Sequence, residues 1–501
     1  MVARVKTVAF VGVEAIDIDI QVRLSSGLPS FQIVGLADKA VGESRDRIRN
    51  AIESLGLSMP SKRITVNLSP ADLLKEGSHY DLPIALGILA AMEIIPYEAI
   101  TQIYAVGELN LDGKIAPCYG ALVAAIHAHG QCAHFICPMQ QGSEAAWAGD
   151  DLRLSAVDHL KDVIALLKGE LTLERPKAQA IEDKQNIPDL SDIKGQESAK
   201  RALEVAAAGN LNMLMIGPAG SGKSMLASRI IGLLPPMLPA EALETTMVHS
   251  LAGETSQSGI LRNRPFREPH HSASIPALTG GGMRAKPGEI SLAHNGILFL
   301  DELPEFQGRV LDSLRQPLET GKITVARANA HISWPARFQL IAAMNPCRCG
   351  HLNDPHQACS RAPKCAIDYQ GRLSGPLLDR FDIIIQVPAV DATSLLLPPP
   401  KEGTKEVRER VLAARRIQWR RYRKQGYYTN ADASTQDIEA YISSDNQISQ
   451  LLSEVIQKQK LTARGFHRIL KTARTIADLE ANEHIRNHHI SEAVSLRSGL
   501  M

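Results

Sequence analysis

The sequence lacks an excess of charge of either sign. Fifty-five Lys and Arg against 54 Asp and Glu leave a net charge of +1 over 501 residues, so any nucleic-acid contact must come from local patches rather than overall basicity. It also lacks long hydrophobic runs. The longest apolar stretch, Leu82 to Ala91, is interrupted by Pro83 and Gly87 and falls short of the roughly 20 residues that cross a bilayer. No membrane span is therefore expected. Glu14, Asp17 and Asp19 stand in the first twenty residues, where a secretion signal needs an unbroken apolar stretch. Cysteine is scarce and odd in number, at seven, and Cys347, Cys349, Cys359 and Cys365 crowd into 19 residues. That layout suits a metal clip better than a secreted disulfide framework. A cytoplasmic protein is expected. No period of 20 to 50 residues suggests a solenoid or propeller.

What is present is a composition able to bury sizeable cores, 44% hydrophobic and 22% charged, in a chain long enough for about three domains. Residues 1–167 alternate β-like runs such as Ile64 to Leu68 with helix-like ones such as Val41 to Leu55, an α/β pattern. Residues 168–190 are polar and twice interrupted by proline, and are expected to be a linker. A second α/β region spans 191–390. After it, Pro398 to Pro400 lead into helix-like patterns over 391–501.

The strongest chemical signal is Gly217-Pro218-Ala219-Gly220-Ser221-Gly222-Lys223-Ser224, between the apolar run Leu211 to Ile216 and the helix-like Met225 to Leu233. This is GxxxxGK[ST] in strand, loop and helix context. Such a loop closes its backbone amides around phosphate oxygens, with Lys223 on the β/γ-phosphates of ATP and Ser224 on Mg²⁺. A second run, Gly296 to Leu300, delivers Asp301 and Glu302 at its end. Asp301 suits hydrated Mg²⁺ and Glu302 the attacking water; a strand-end turn or helix cap is the plainer alternative. A third run, Phe338 to Met344, ends at Asn345, whose amide suits γ-phosphate sensing or a turn cap before Pro346. Arg380, beside the strand-like Ile383 to Val387, offers a planar cation for phosphate charge or a surface salt bridge. Cys347, Cys349, Cys359 and Cys365 offer four sulfurs to a structural Zn²⁺, with free cysteines as the alternative. Residues 401–430 hold ten Lys or Arg against three Glu, suited to DNA, a neighbouring subunit or a basic lid helix.

These motifs, with GILFLDELPEF from Gly296, AMNPCRCG from Ala343 and LLDRFD from Leu377, resemble the magnesium-chelatase-like branch of AAA+ ATPases. The whole chain resembles the bacterial competence protein ComM (YifB-like) family. The resemblance implies a central AAA+ core, a helical lid and a hexameric ring in which Arg380 acts in trans. Leu461-Thr-Ala-Arg464-Gly-Phe-His-Arg468 would be the sensor-2 helix, with either Arg464 or Arg468 as the sensor. Arg284 and Lys286 would lie in a helix-2 insertion, and Lys322 and Arg327 on a hairpin before Asn345; these four are candidate DNA-backbone contacts.

The segments Lys75 to Pro83 and Val106 to Pro117 resemble a Lon-type proteolytic domain of ribosomal S5 domain 2-like fold. The nucleophilic serine falls at His79 and the lysine at Leu122, so peptidase activity is not expected; a rescue would need Ser78 with a base such as Lys114. What the resemblance implies is an ATP-hydrolysing motor on single-stranded and branched DNA, with helicase activity in branch migration during transformation and possible recombination-protein partners. A magnesium-chelatase motor subunit, a Lon-like protease and a nucleotide-gated scaffold are the alternatives.

Overall fold

The computed structural model describes all residues except 1, 36–37, 182–186, 255–258, 282–285, 327–330, 351, 353–360, 391–397, 399, 401, 443–461 and 498–501. None of the described helices is long and apolar enough to cross a membrane.

In the N-terminal region seven strands form one mixed sheet, in the order Ser30–Val34, Arg63–Ser69, Glu14–Ser25, Ala3–Val11, Ile103–Ala105, His134–Pro138, Arg153–Val157. Period-two alternation buries Ile18, Ile20 and Val22 of one strand beside Ile64, Val66 and Leu68 of its antiparallel neighbour, as a half-covered sheet requires. Helix Asp81–Ala91 lies against this face, buried along ten consecutive positions from Asp81 to Ala90. The longest apolar stretch of the sequence is thus a core helix, apolar on all sides because it is enclosed on all sides.

The second region holds five parallel strands in the order Phe266–Arg267, Ile297–Leu300, Gln339–Met344, Met213–Ile216, Ile383–Gln386. The three middle strands are buried at every position, which is why they appear in the sequence as unbroken apolar runs. Helices Glu197–Gly209 and Lys223–Leu233 share a core with one face of this sheet and with the C-terminal helices Thr404–Tyr422, Ala463–Leu479 and Asn487–Ser495. The other face packs the hairpin Lys322–Ala326 with His331–Pro335.

The basic stretch after residue 400 is less free than its charge suggests. Arg415 is half-buried and donates to the Ala207 carbonyl, and Gln418 donates to that of Ala208. Both close the C-terminal end of helix Glu197–Gly209, whose last carbonyls have no partner within the helix. Arg421 pairs with buried Asp478, and Arg410 with Glu204. Arg416, Arg420 and Arg423 remain exposed.

The expected linker also carries structure. Ala180–Ile181 pairs with Ile260–Leu261, Trp147 donates to the Gln179 carbonyl, and the Leu190 amide donates to Thr404. The N-terminal region touches the second region directly, through the Gly120 amide on the Ser250 carbonyl at 3.2 Å and Val123 beside Leu251.

Candidate functional site

The phosphate-type loop leaves the C-terminal end of strand Met213–Ile216 and enters helix Lys223–Leu233. Gly220 and Gly222 have φ of 76° and 86°, a region open to glycine at little cost. Gly217 is demanded by space, since a Cβ there would lie 2.1 Å from the Val387 carbonyl oxygen. The Lys223 ammonium turns back into the loop, donating to the carbonyls of Gly217 and Pro218 at 2.8 Å each. It also reaches the Asn345 side-chain oxygen at 3.3 Å. Burial holds its pKa below the usual lysine range, with Asp301 opposing.

The neighbouring strand ends complete the group. Gln339–Met344 pairs with Met213–Ile216 on one side and Ile297–Leu300 on the other, so Asn345 and Asp301 emerge beside the loop. The Ser224 hydroxyl donates to Asp301 at 2.6 Å. The second Asp301 oxygen accepts the Glu302 amide at 2.8 Å. Four of the residues singled out from sequence, Lys223, Ser224, Asp301 and Asn345, therefore form one connected cluster, with Glu302 at its edge. A hydroxyl and a carboxylate oxygen in contact suit the oxygen preference of Mg²⁺, and the loop amides with a lysine suit a polyphosphate.

Sequence reasoning left Glu268 and His271 without a role. Strand Phe266–Arg267 lies next to Ile297–Leu300, so the residues after it arrive beside Asp301. Burial, then the charge of Asp301, push the Glu268 carboxyl above its ordinary range. His271 stands 3.4 Å from Glu302. The pair of adjacent histidines was the available signal, but no local period ties them to the acidic strand.

Arg380, Arg464 and Arg468 are placed elsewhere. Arg380 precedes strand Ile383–Gln386, whose start pairs with the start of Met213–Ile216, at the opposite sheet end from the loop. Four strand residues separate the ends by about 13 Å. Arg380 is buried, held by the Pro376 carbonyl and Glu319. Burial lowers its pKa; Glu319 opposes this, while Arg315, Arg464 and Arg468 add to it. Arg468 pairs with Asp382. A cavity of about 1130 Å³ between the sheet and the C-terminal helices is lined by these three arginines together with Arg264, Arg337 and Arg415.

Of the candidate DNA contacts, Lys322 is exposed at the root of the hairpin. Lys286 is not: its ammonium lies 4.1 Å from the centre of the Tyr119 ring and donates to the Ala252 carbonyl, joining the two regions. Arg284 and Arg327 lie outside the described residues, as does Cys359. The sulfurs of Cys347, Cys349 and Cys365 all lie within 4.8 Å of one another. Tetrahedral Zn–S bonds of about 2.3 Å set sulfurs about 3.8 Å apart; Cys347 and Cys349 stand closer, at 3.0 Å, so the three could share one ion once that pair spreads.

A second such cluster, Glu480 with His488 and His489, does not fit. The Arg486 amide donates to Nδ1 of His489 at 2.9 Å, so neutral His489 carries its proton on Nε2. It gives that proton to Glu480 at 3.0 Å, leaving no lone pair for a metal.

In the N-terminal region His79 and Leu122 are both buried. The Nε2–H of His79 faces the Val8 carbonyl at 2.9 Å, and burial lowers its pKa to about 4. The Ser78 hydroxyl donates to Glu108, and Lys114 is exposed.

Three family models match consecutive parts of the chain: "Subunit ChlI of Mg-chelatase" over residues 20–141, "Magnesium chelatase, subunit ChlI" over 189–395, and "Magnesium chelatase, subunit ChlI C-terminal" over 401–497. Competence protein ComM of Haemophilus influenzae is 46% identical over 496 residues, covering 98% of this chain and 96% of its own. The YifB protein of Salmonella typhimurium is 44% identical over 505 residues, covering 99% and 97%. The magnesium-chelatase 38 kDa subunit of Rhodobacter capsulatus is 27% identical over 233 residues, which is 42% of this chain and 59% of its own.

Proposed function

The chain belongs to the ComM/YifB family and has an AAA+-type ATPase architecture, and from that premise we propose that it is an ATP-hydrolysing DNA motor. The observation that carries the reading is the joining of Ser224 to Asp301, and of Lys223 to Asn345, across three adjacent strand ends. Loop amides and Lys223 hold the β/γ-phosphates, while Ser224 and Asp301 would hold Mg²⁺, which would neutralise charge on the transferred group. Asn345 positions the γ-phosphate. Water bonds to the γ-phosphorus as the bond to the bridging oxygen of ADP breaks, and Glu302 takes the water's proton.

Arg380, with Arg464 or Arg468 as sensor-2, faces away from its own loop and serves the next protomer of a hexamer. Lys322 at the root of the hairpin, together with Arg284 and Arg327 from outside the described residues, grips the backbone of single-stranded or branched DNA without reading bases. The family resemblance extends the reading to helicase-driven branch migration in transformation, in the cytoplasm and alongside recombination proteins. Cys347, Cys349 and Cys365, with Cys359 from outside the described residues, would hold a structural Zn²⁺ that would brace the fold near Asn345. The N-terminal domain is Lon-like but non-proteolytic: a histidine, His79, and a leucine, Leu122, both buried, stand where the resemblance puts the serine nucleophile and the lysine base. The C-terminal helices serve as the lid.

The test is steady-state ATPase with no DNA and with single-stranded, duplex and branched DNA, alongside strand displacement. DNA should stimulate turnover, and Lys223→Ala should abolish it. DNA-stimulated hydrolysis surviving in Lys223→Ala would refute the assignment of the site. Turnover that is indifferent to every DNA would refute the motor.

A further inference from the structure

Helix Thr404–Tyr422 has two faces. Val407, Val411, Ala414, Gln418 and Tyr422 recur at steps of three and four and are buried, so this side is the one packed into the core. The opposite side carries Arg416, Arg420 and Arg423 at the same steps, which sets them in one row about 10 Å long. All three are exposed, as is Lys424. Between Glu409 and Asp432 stand seven Lys or Arg and no Asp or Glu. Arg410, Arg415 and Arg421 of this helix are held by Glu204, the Ala207 carbonyl and Asp478, which fixes the helix and with it the outward row.

Two large rings stand beside the row. Trp419 and Tyr428 are each 44% exposed. Trp419 follows Arg416 by three positions and precedes Arg423 by four, and the Arg423 guanidinium lies 5.7 Å from the indole centre, which holds the ring against the row. Arg416, Trp419 and Tyr428 line the arginine-rich cavity, whereas Arg420 and Arg423 are not among its lining residues, so the row leads from the cavity to open surface. Three acids of the cavity wall are already taken: Glu241 by Arg264, Glu319 by Arg380 and Asp382 by Arg468. Exposed cations beside exposed rings match a polyanion that also presents flat bases. An acidic protein would meet the cations alone, and duplex DNA keeps its base faces stacked inside.

We propose that Arg416, Trp419, Arg420, Arg423 and Tyr428 form a surface for single-stranded nucleic acid, with bases on the two rings and phosphates on the arginines. The inference rests on the DNA-motor reading above and deepens it by naming the form of strand that the C-terminal helices hold: unpaired, and bound without regard to sequence.

The experiment titrates the full-length protein, with Mg²⁺ and a non-hydrolysable ATP analogue, into fluorescein-labelled oligothymidylate and follows anisotropy across a range of salt. Trp419→Ala should weaken binding on the order of tenfold. Trp419→Phe keeps a ring and should stay within about threefold of wild type. Arg416→Gln/Arg420→Gln/Arg423→Gln should lower the slope of log Kd against log salt by about two, since each phosphate contact on a single strand is worth about 0.7. Intrinsic emission gives an independent reading. Of the three tryptophans, Trp334 is buried and Trp147 is tied to the Gln179 carbonyl, so unlabelled oligothymidylate should quench the wild type and quench Trp419→Phe far less.

Wild-type affinity in Trp419→Ala, an unchanged salt slope in the triple variant, or quenching that survives in Trp419→Phe would overturn the inference and leave the motor reading standing. Variants that no longer sediment as the wild-type assembly would also overturn it, by assigning the row to the contact between protomers. A wild type that binds duplex DNA alone would do the same. A wild type that binds neither form would take the motor reading down with it.

Discussion

His79 is enclosed on all sides, and burial lowers its pKa to about 4 from an ordinary value of about 6.5. Between those values the unfolded chain takes up a proton that the folded chain refuses. The stability His79 contributes is therefore complete above about pH 6.5, is lost as pH falls, and levels off near pH 4, for about 3 kcal/mol in all. Glu144 works in the opposite sense. Burial raises its carboxyl to about 7, so its contribution is complete below about pH 4.5 and is lost as pH rises towards 7. His79→Phe should flatten the fall of the thermal midpoint between pH 6.5 and 4, and Glu144→Gln should raise the midpoint more at pH 8 than at pH 5. Melting curves across that range decide both; slopes matching wild type would mean that other groups set the acid response.

At the scale of elements, the turn between strands Ala3–Val11 and Glu14–Ser25 presses on the hairpin that precedes Asn345. Gly12 has φ of 64°, and a Cβ there would lie 2.6 Å from the Ser333 carbonyl oxygen. Val11, Val13 and Ala15 pack with Ile323, Ile332 and Trp334. Gly12→Val adds both a left-handed penalty of about 1 kcal/mol or more and a clash. It should release the hairpin, seen as faster amide hydrogen exchange in Lys322–Ala326 while the central strands stay protected. Unchanged exchange there would show that the contact does not restrain the hairpin. This contact was not legible in the sequence, and the reason is general. Apolar runs ending at Gly217, Asp301 and Asn345 identify strands because burial on both faces leaves no polar alternation, and the chemistry sits where each run stops. Which strands become neighbours is set by tertiary packing, so the pairing that brings His271 to Glu302 left no local trace. Charge misleads for the same reason: Lys286, Arg415 and Arg421 look available in the sequence, but Tyr119, the Ala207 carbonyl and Asp478, far away along the chain, already hold them.

At the scale of the whole molecule, the two halves of the proposed chemistry lie at opposite ends of one sheet. Lys223, Ser224, Asp301 and Asn345 gather at the strand C-termini. Arg380 and its companions Arg464 and Arg468 cluster at the N-terminal end, with Asp382 bound to both Arg468 and the Asn212 amide. A parallel strand cannot bend back on itself, so a single protomer cannot bring both groups to one phosphate; a head-to-tail ring can, because such an interface sets one surface against a different surface of the next copy. Arg380 would first have to exchange Glu319 for the neighbour's phosphate. Lys223→Ala and Arg380→Ala should each be inactive alone, the second because such an arginine is worth on the order of a thousandfold or more in turnover. Mixed in equal amounts under assembling conditions, they should regain activity, since about a quarter of randomly formed interfaces would combine an intact Lys223 with an intact Arg380 from the next copy. If both residues served the same site within one chain, every protomer in the mixture would remain defective and no activity would return. An inactive mixture whose subunits demonstrably co-assemble would therefore place the arginine's action within its own protomer and remove the reason for a ring.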